Sequence, residues 1–368
     1  MQIALLFLKL GLISFGGPAA HVAMMEDEVV RRRGWLSHEE FLDLLGATNL
    51  IPGPNSTEMA IHIGYRRAGW PGLLIAGSCF ILPATLIVTA LAWAYVRYGS
   101  LPQTEAVLYG VKPVVIAIIL QALWRLGRAA IKTKTLALIG ATGILLEFLG
   151  VHELIVLFGA GCAMGLGNRV AARMRRGESL SLIPAAFLAA QSASSFGLWP
   201  LFLFFLKVGS ILFGSGYVLL AFLRADLVER WRWLTDAQLL DAITAGQVTP
   251  GPVFTTATFV GYVLGGLPGA FVATVGIFMP AFFFVAVSGS LVSRIRNSAT
   301  AGAVLDGINA ASLSLMAVVT WRLGQTALVD WLSVAMLGAG LILLIRFRLN
   351  SAWLVLAGAL LGLIFRLY

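Results

Sequence analysis

The sequence predicts an all-α integral membrane protein of two homologous halves, each with about five spanning helices plus a re-entrant helix pair, inserted as inverted-topology repeats. Three observations predict it. The 368-residue chain is 59% hydrophobic and 12% charged, with mean hydropathy +0.90, whereas soluble domains are about 45–50% apolar and about 25% charged. Apolar runs long enough to cross about 30 Å of hydrocarbon recur along the whole length. The chain is also one unit written twice: FLKLGLISFGGP from Phe7 to Pro18 returns as FLKVGSILFGSG from Phe205 to Gly216.

The register of the repeat holds far downstream. Lys9 and Lys207, like Pro52 and Pro250, stand 198 positions apart, whereas Tyr65 and Tyr262, like Pro83 and Pro280, stand 197 apart. One residue was lost in the second copy. This divides the chain into a first repeat at 1–170, a linker at 171–195 and a second repeat at 196–368. A period near half the chain is far above solenoid repeats and suits a transporter whose substrate site forms where two pseudo-symmetric halves meet.

In chain order, spans are expected at 3–25, 70–96, 106–126, 136–149 and 153–170. Met1 leads almost directly into the first without a small-residue cleavage site, so a spanning helix is expected rather than a cleaved signal peptide. Between the first two spans, Ser37 is an N-cap candidate with Glu40 three residues on. Pro52-Gly53-Pro54 then breaks any helix. That polar, interrupted stretch is expected to form two half-helices that enter and turn back, a geometry tolerated only where protein or a cavity surrounds it.

Five spans per half would insert the second half upside down, and charge tests this. Basic residues at Arg31–Arg33, Arg66–Arg67, Arg128/Lys132/Lys134 and 169–176 mark one face of the first half as cytoplasmic. In the second half Arg66–Arg67 become Val263–Leu264, and Arg128, Lys132 and Lys134 become Gln325, Val329 and Trp331. The bias returns at Arg294/Arg296 and Arg346/Arg348, loops that an inverted copy presents to the same face. Arg224, Arg230 and Arg232 are exceptions, accompanied by Asp226 and Glu229. The linker reads as a basic stretch followed by a weak amphipathic helix on the membrane surface.

The net charge of +9 sits in short clusters beside apolar spans, the pattern of loop anchoring rather than of nucleic-acid binding. Cys79 and Cys162 lie in apolar segments without the spacing of a zinc or redox site. No metal or cofactor is expected.

Lys9 and Lys207 are equivalent cations in the first helices of the two halves, and a lysine near a bilayer centre costs about 2.5–3.5 kcal/mol even on a lenient scale. Snorkelling is the plain alternative; a substrate-binding or partner-charge role is favoured. Breaks follow at Gly16-Gly17-Pro18 and Gly214-Ser215-Gly216, where a restarting helix aims unpaired N–H groups inward. A packing kink is the competing account of each. The Pro-Gly-Pro segments repeat the device: Gly53 with Asn55, Ser56 and Thr57, and Gly251 with Thr255 and Thr256, form a donor cradle suited to an oxyanion. Simple helix capping would use the same donors.

Asp43 matches Asp241 and Glu28 matches Asp226, so these acids are expected to pair with nearby arginines. Glu58 matches Thr256 and has no acidic counterpart. As a carboxylate withdrawn from water it is the first candidate for proton coupling, with His21 and His62 as secondary titratable groups. Glu147 and Asp306 also lie in apolar surroundings. Trp124-Arg125 and Trp321-Arg322 close equivalent helices and read as interfacial anchors, with Lys112 the better interior cation.

The ordered set FGGPAAH, RRRGWLS with an acidic helix, LIPGPNSTEMAIHIGY, WPGLLIAGSCFILPA and YGVKP resembles the chromate ion transporter family. GQVTPGPVFTTATFVGY and WPLFLFFLKVGSILFGSG resemble that family's C-terminal copy, so the resemblance covers nearly the whole chain and marks a long-chain, two-domain member. It implies export of chromate, with sulfate as the structural analogue, from the cytoplasm across a bacterial-type cytoplasmic membrane, driven by membrane potential or a proton gradient. The expected partners are the oxyanion, bilayer lipid and, for assembly, a second copy of the chain as a homodimer. A passive anion channel is the alternative. A membrane-embedded lipid-processing enzyme would need a paired-Asp, HExxH or Ser-His constellation, and the sequence has none.

Overall fold

The computed structural model describes residues 1–15, 17–174, 196–213, 216–296, 298–347 and 349–367. Gly16, Gly214, Ser215 and linker residues 175–195 lie outside them. The first half comprises α1 (Gln2–Ile13), α2 (Pro18–Glu26) running into a π-type turn at Asp27–Arg32, α3 (His38–Thr48), α4 (Asn55–Tyr98), α5 (Pro102–Ala130), α6 (Lys134–Phe148) and α7 (Glu153–Met174). The second half repeats it: α8 (Leu198–Ile211), α9 (Leu219–Leu223) with its π-type turn Arg224–Arg230, α10 (Asp236–Val248), α11 (Thr256–Arg296), α12 (Ala299–Ala327), α13 (Trp331–Arg346) and α14 (Ser351–Leu367). Among the described residues there is no strand. Segments Asn55–Tyr98, Pro102–Ala130, Val253–Ser288 and Thr300–Ala327 are long and apolar enough to cross a membrane.

The run 3–25, which reads as one span in sequence, is folded back on itself. Lys9 Nζ bonds Glu28 Oε1 at 2.7 Å, although 19 residues of continuous helix would hold them about 28 Å apart. Leu6 and Leu10 on α1 bury against Met25 and Val29 on the returning limb. The reversal is local: Gly17 adopts a φ of +79°, which favours glycine, and Pro18 opens α2 at its first position. In the second half Lys207 Nζ bonds Asp226 Oδ2, also at 2.7 Å, which folds α8 against the segment after α9 in the same way. Each half therefore begins with a helical hairpin.

A second hairpin follows in each half. Ser37 and Glu40 form the expected capping box at the start of α3, and Thr235 with Gln238 forms its counterpart on α10, each satisfying two otherwise unpaired amides. The chain then passes through Pro-Gly-Pro into α4 or α11. These long helices lose helical dihedrals at Ala68–Gly69 and Gly265–Gly266, which separates a short first limb from a long second one.

The halves interlock. Near the start of α5, the Tyr109 hydroxyl donates to Asp330 at 2.7 Å, just past the end of α12. Just past the end of α5, Lys132 lies 3.9 Å from Asp306 near the start of α12. These equivalent helices thus run antiparallel. α14 of the second half packs along α5, and α7 of the first packs along α12. The crossings use small residues, Gly110 against Gly358 and Gly362, and Gly307 against Ala160, which let backbones approach where lipid supplies no hydrophobic drive.

Candidate functional site

The two hairpins of each half meet those of the other half at their tips. The Gly53 amide donates to the Leu212 carbonyl at 2.7 Å, and the Gly251 amide donates to the Ser14 carbonyl at 3.0 Å. These are equivalent contacts made reciprocally, since Ser14 matches Leu212 and Gly53 matches Gly251 in the repeat register. Gly53 and Gly251 hold φ values of +142° and +95°, and a side chain on Gly251 would approach Ala84 Cβ to 2.7 Å. Only glycine fits there.

His21 strengthens one of the two contacts. Its Nε2 lies 3.0 Å from the Ser14 carbonyl; a carbonyl only accepts, so Nε2 carries the proton. Ser14 thus receives both the His21 ring and the Gly251 amide. The equivalent of His21 is Leu219, an apolar residue that cannot make this bond.

Around this junction lies a concentration of buried polar atoms without hydrogen-bond partners. They include Ser14 Oγ, Asn55 Oδ1, Thr57 Oγ1, Thr256 Oγ1, both carboxylate oxygens of Glu58, and His62 Nε2. Such atoms cost free energy when left dry and unpaired, and their clustering marks a place where a solute or water belongs. Glu58 is fully buried beside Gly53, where an added Cβ would collide with its carboxylate. His62 is one turn further along α4 and shares its face.

A cavity of about 930 Å³ adjoins the junction. Its wall includes Ser14, Gly17 and Pro18 from the first break, Asn55 after the first Pro-Gly-Pro, Thr249, Gly251 and Val253 from the second, and Gln121, Trp124 and Arg125 from α5. Asn350 and Ser351 close it at the start of α14. Gln121 donates to the Leu344 carbonyl at 3.1 Å. Arg125 pairs with no carboxylate among the described residues.

Of the sequence-predicted residues, Gly17, Asn55 and Gly251 line the cavity, and Ser56, Thr57, Thr255 and Thr256 are buried at the hairpin tips beside it. Gly53 and Glu58 sit at the tip contact with the other half. Lys9 and Lys207 do not line the cavity; both stand in ion pairs with Glu28 and Asp226. Glu28 also pairs with Arg33, and Asp226 with Arg230. Lys112 pairs with Asp241 at 2.8 Å, and the Tyr95 hydroxyl donates to the same carboxylate at 3.0 Å. Gly16, Gly214 and Ser215 fall outside the described residues.

Sequence reasoning missed Arg125 and Gln121 as cavity residues. The signal available was the tetrad Trp-Arg-Leu-Gly, present in both halves at the end of α5 and of α12.

The chromate transporter family model matches residues 1–166 and 199–363. The chain is 32% identical to a chromate transport protein of Cupriavidus metallidurans, over 99% of this chain and 92% of that one. It is 33% identical to a chromate transport protein of Pseudomonas aeruginosa over 98% and 91% of the respective chains. It is also 33% identical to a probable chromate transport protein of Synechococcus elongatus over 89% and 86%. No solved structure matches. The family match to both halves and the 32–33% identity to these proteins over nearly the full length place the chain in the chromate transporter family, as a multi-pass membrane protein.

Proposed function

We propose that the protein is a secondary active transporter that exports chromate, or the related dianion sulfate, across the cytoplasmic membrane by alternating access. The observation that carries this reading is the tip junction. The first turns of α2 and α4 begin there, beside unpartnered buried hydroxyls and a cavity bordered by Arg125. Helix N-termini present free amides and positive dipole ends. Fixed donors of this kind replace the water shell of a tetrahedral dianion. Lys9 and Lys207 serve it indirectly, by holding each hairpin closed.

Inverted topology is supported by the antiparallel course of α5 and α12, because equivalent helices of inverted repeats point oppositely. With the basic face of the first half in the cytoplasm, the cavity beside Arg125 faces the cytoplasm. Glu58 supplies coupling in this reading. A sealed carboxylate with neither oxygen hydrogen-bonded leaves its charge uncompensated unless a proton or cation accompanies it.

Equilibrium binding of radiolabelled chromate to the purified protein, competed by a panel of anions, tests the substrate assignment. Sulfate and molybdate are expected to displace it and nitrate and chloride to leave it bound. Absence of saturable chromate binding, or displacement by nitrate as effective as by sulfate, would overturn it.

A further inference from the structure

The two halves share a sequence register but differ where α2 and α9 face the ends of α5 and α12. In the second half, α9 is buried along all five of its residues, and Arg322 Nη1 at the end of α12 bonds Glu229 Oε1 at 2.7 Å. Arg224 bonds both Glu229 and, at 2.7 Å, Asp236. That side is shut. In the first half, α2 buries only His21 and Met25, and the 930 Å³ cavity separates Pro18 from Arg125.

The charges on the two sides also differ. Glu26, Arg31 and His38 are the counterparts of Arg224, Glu229 and Asp236. They repeat the same arrangement with the Arg–Glu charges exchanged and a histidine in place of the second acid, Glu26 lying 3.8 Å from Arg31 and 3.4 Å from His38. Arg125, the counterpart of Arg322, is not exchanged. Closing the first half as the second is closed would therefore set Arg31 against Arg125, two guanidinium groups that repel.

We propose that Arg31 and Arg125 form a clamp for a tetrahedral dianion, and that the gap between α2 and α5 closes only when the anion bridges them. This rests on the transport reading and deepens it. A dianion accepts from both planar forks at once, so the loaded protein gains the contact that Glu229 and Arg322 make without a ligand. The empty protein stays open, which prevents an unloaded half-cycle.

Hydrogen exchange of the full-length protein in detergent tests this without thiol reagents, which chromate oxidises. Empty wild type is expected to exchange α2 amides much faster than α9 amides, and saturating chromate to slow α2 at least tenfold. Arg31→Glu, which recreates the Glu229–Arg322 pairing, is expected to slow α2 in the absence of any anion, and Arg125→Glu to do the same. Arg31→Ala is expected to remove the chromate-dependent slowing. Protection of α9 reports that each variant is folded, and with two charge-reversal variants one folded protein suffices. Anion-free α2 exchange as fast in both charge reversals as in wild type would overturn the clamp, as would chromate that binds wild type yet leaves α2 unchanged. Failure of chromate to bind at all would strike the transport reading instead, and the anion-free arms would still judge the charge geometry.

Discussion

Gly53 donates its amide proton to the Leu212 carbonyl at 2.7 Å, joining the Pro-Gly-Pro tip of the first half to the break of the second. With the reciprocal bond from Gly251 to Ser14, it makes the centre of the molecule a backbone junction. Four hairpin tips are fixed there by main-chain groups, and the nearby hydroxyls of Ser14, Thr57 and Thr256 are buried without a hydrogen-bond partner.

Alanine at Gly53 or Gly251 is expected to destabilise the protein by about 1–3 kcal/mol, from left-handed backbone strain, and to abolish transport. Gly46 on α3 has open space around it and an ordinary backbone. Gly46→Ala is expected to be neutral or slightly stabilising. Thermal melting in detergent, read beside flux, checks all three.

Lys207 and Asp226 form a largely buried pair, whereas Lys9 is half exposed opposite Glu28. Removing one partner of a buried pair leaves a charge without compensation, at a cost of about 3–5 kcal/mol. Lys207→Met is expected to lower the melting temperature substantially more than Lys9→Met. The double variant Lys207→Met/Asp226→Asn is expected to recover part of the loss. Equal effects of the two single lysine variants would contradict the pairing as the main role of Lys207.

Single cysteines at Arg128 and Gln325, in a background lacking Cys79 and Cys162, are expected to react with an impermeant thiol reagent from opposite sides of the membrane. These positions are equivalent in sequence and end antiparallel helices. Labelling from one side only would contradict the inverted arrangement.

Glu40 accepts the Ser37 amide, and Arg66 donates to it at 2.9 Å. These bonds, the Ser37 amide first, hold its carboxyl below the usual range. A depressed folded value means the cap contributes fully above the unfolded carboxyl range and is lost as pH falls through the folded one. Glu40→Gln is expected to flatten the acid limb of a stability-against-pH curve, and Ser37→Ala to cost about 1 kcal/mol at neutral pH. An unchanged acid limb in Glu40→Gln would remove this carboxylate from the account.

Much of this was legible in the sequence because it is local or duplicated. The Ser37–Glu40 box follows from a spacing of three residues, and the Pro-Gly-Pro tips follow from what proline and glycine do to a helix. The hairpin at Ser14–Pro18 was not legible as a reversal. An apolar run of 23 residues satisfies the length rule whether it crosses or folds back, and contacts across the turn, such as that of Lys9 with Glu28, distinguish the two. The tip junction was hidden for another reason: Gly53–Leu212 and Gly251–Ser14 are main-chain bonds between halves, and no side-chain type announces them. Arg125 read as an anchor because a Trp-Arg pair at a helix end is common at interfaces. Its place in the cavity depends on α2 standing away from α5, which the repeat register alone does not reveal.

In the proposed function the chain carries chromate and the movement is coupled. Inverted membrane vesicles, with the cytoplasmic face outward, give the most direct measurement. Energised vesicles containing the protein are expected to accumulate radiolabelled chromate well above vesicles lacking it, and to lose the accumulation when a protonophore collapses the gradient. Accumulation no greater than in control vesicles, or flux indifferent to any gradient but chromate's own, would contradict the account.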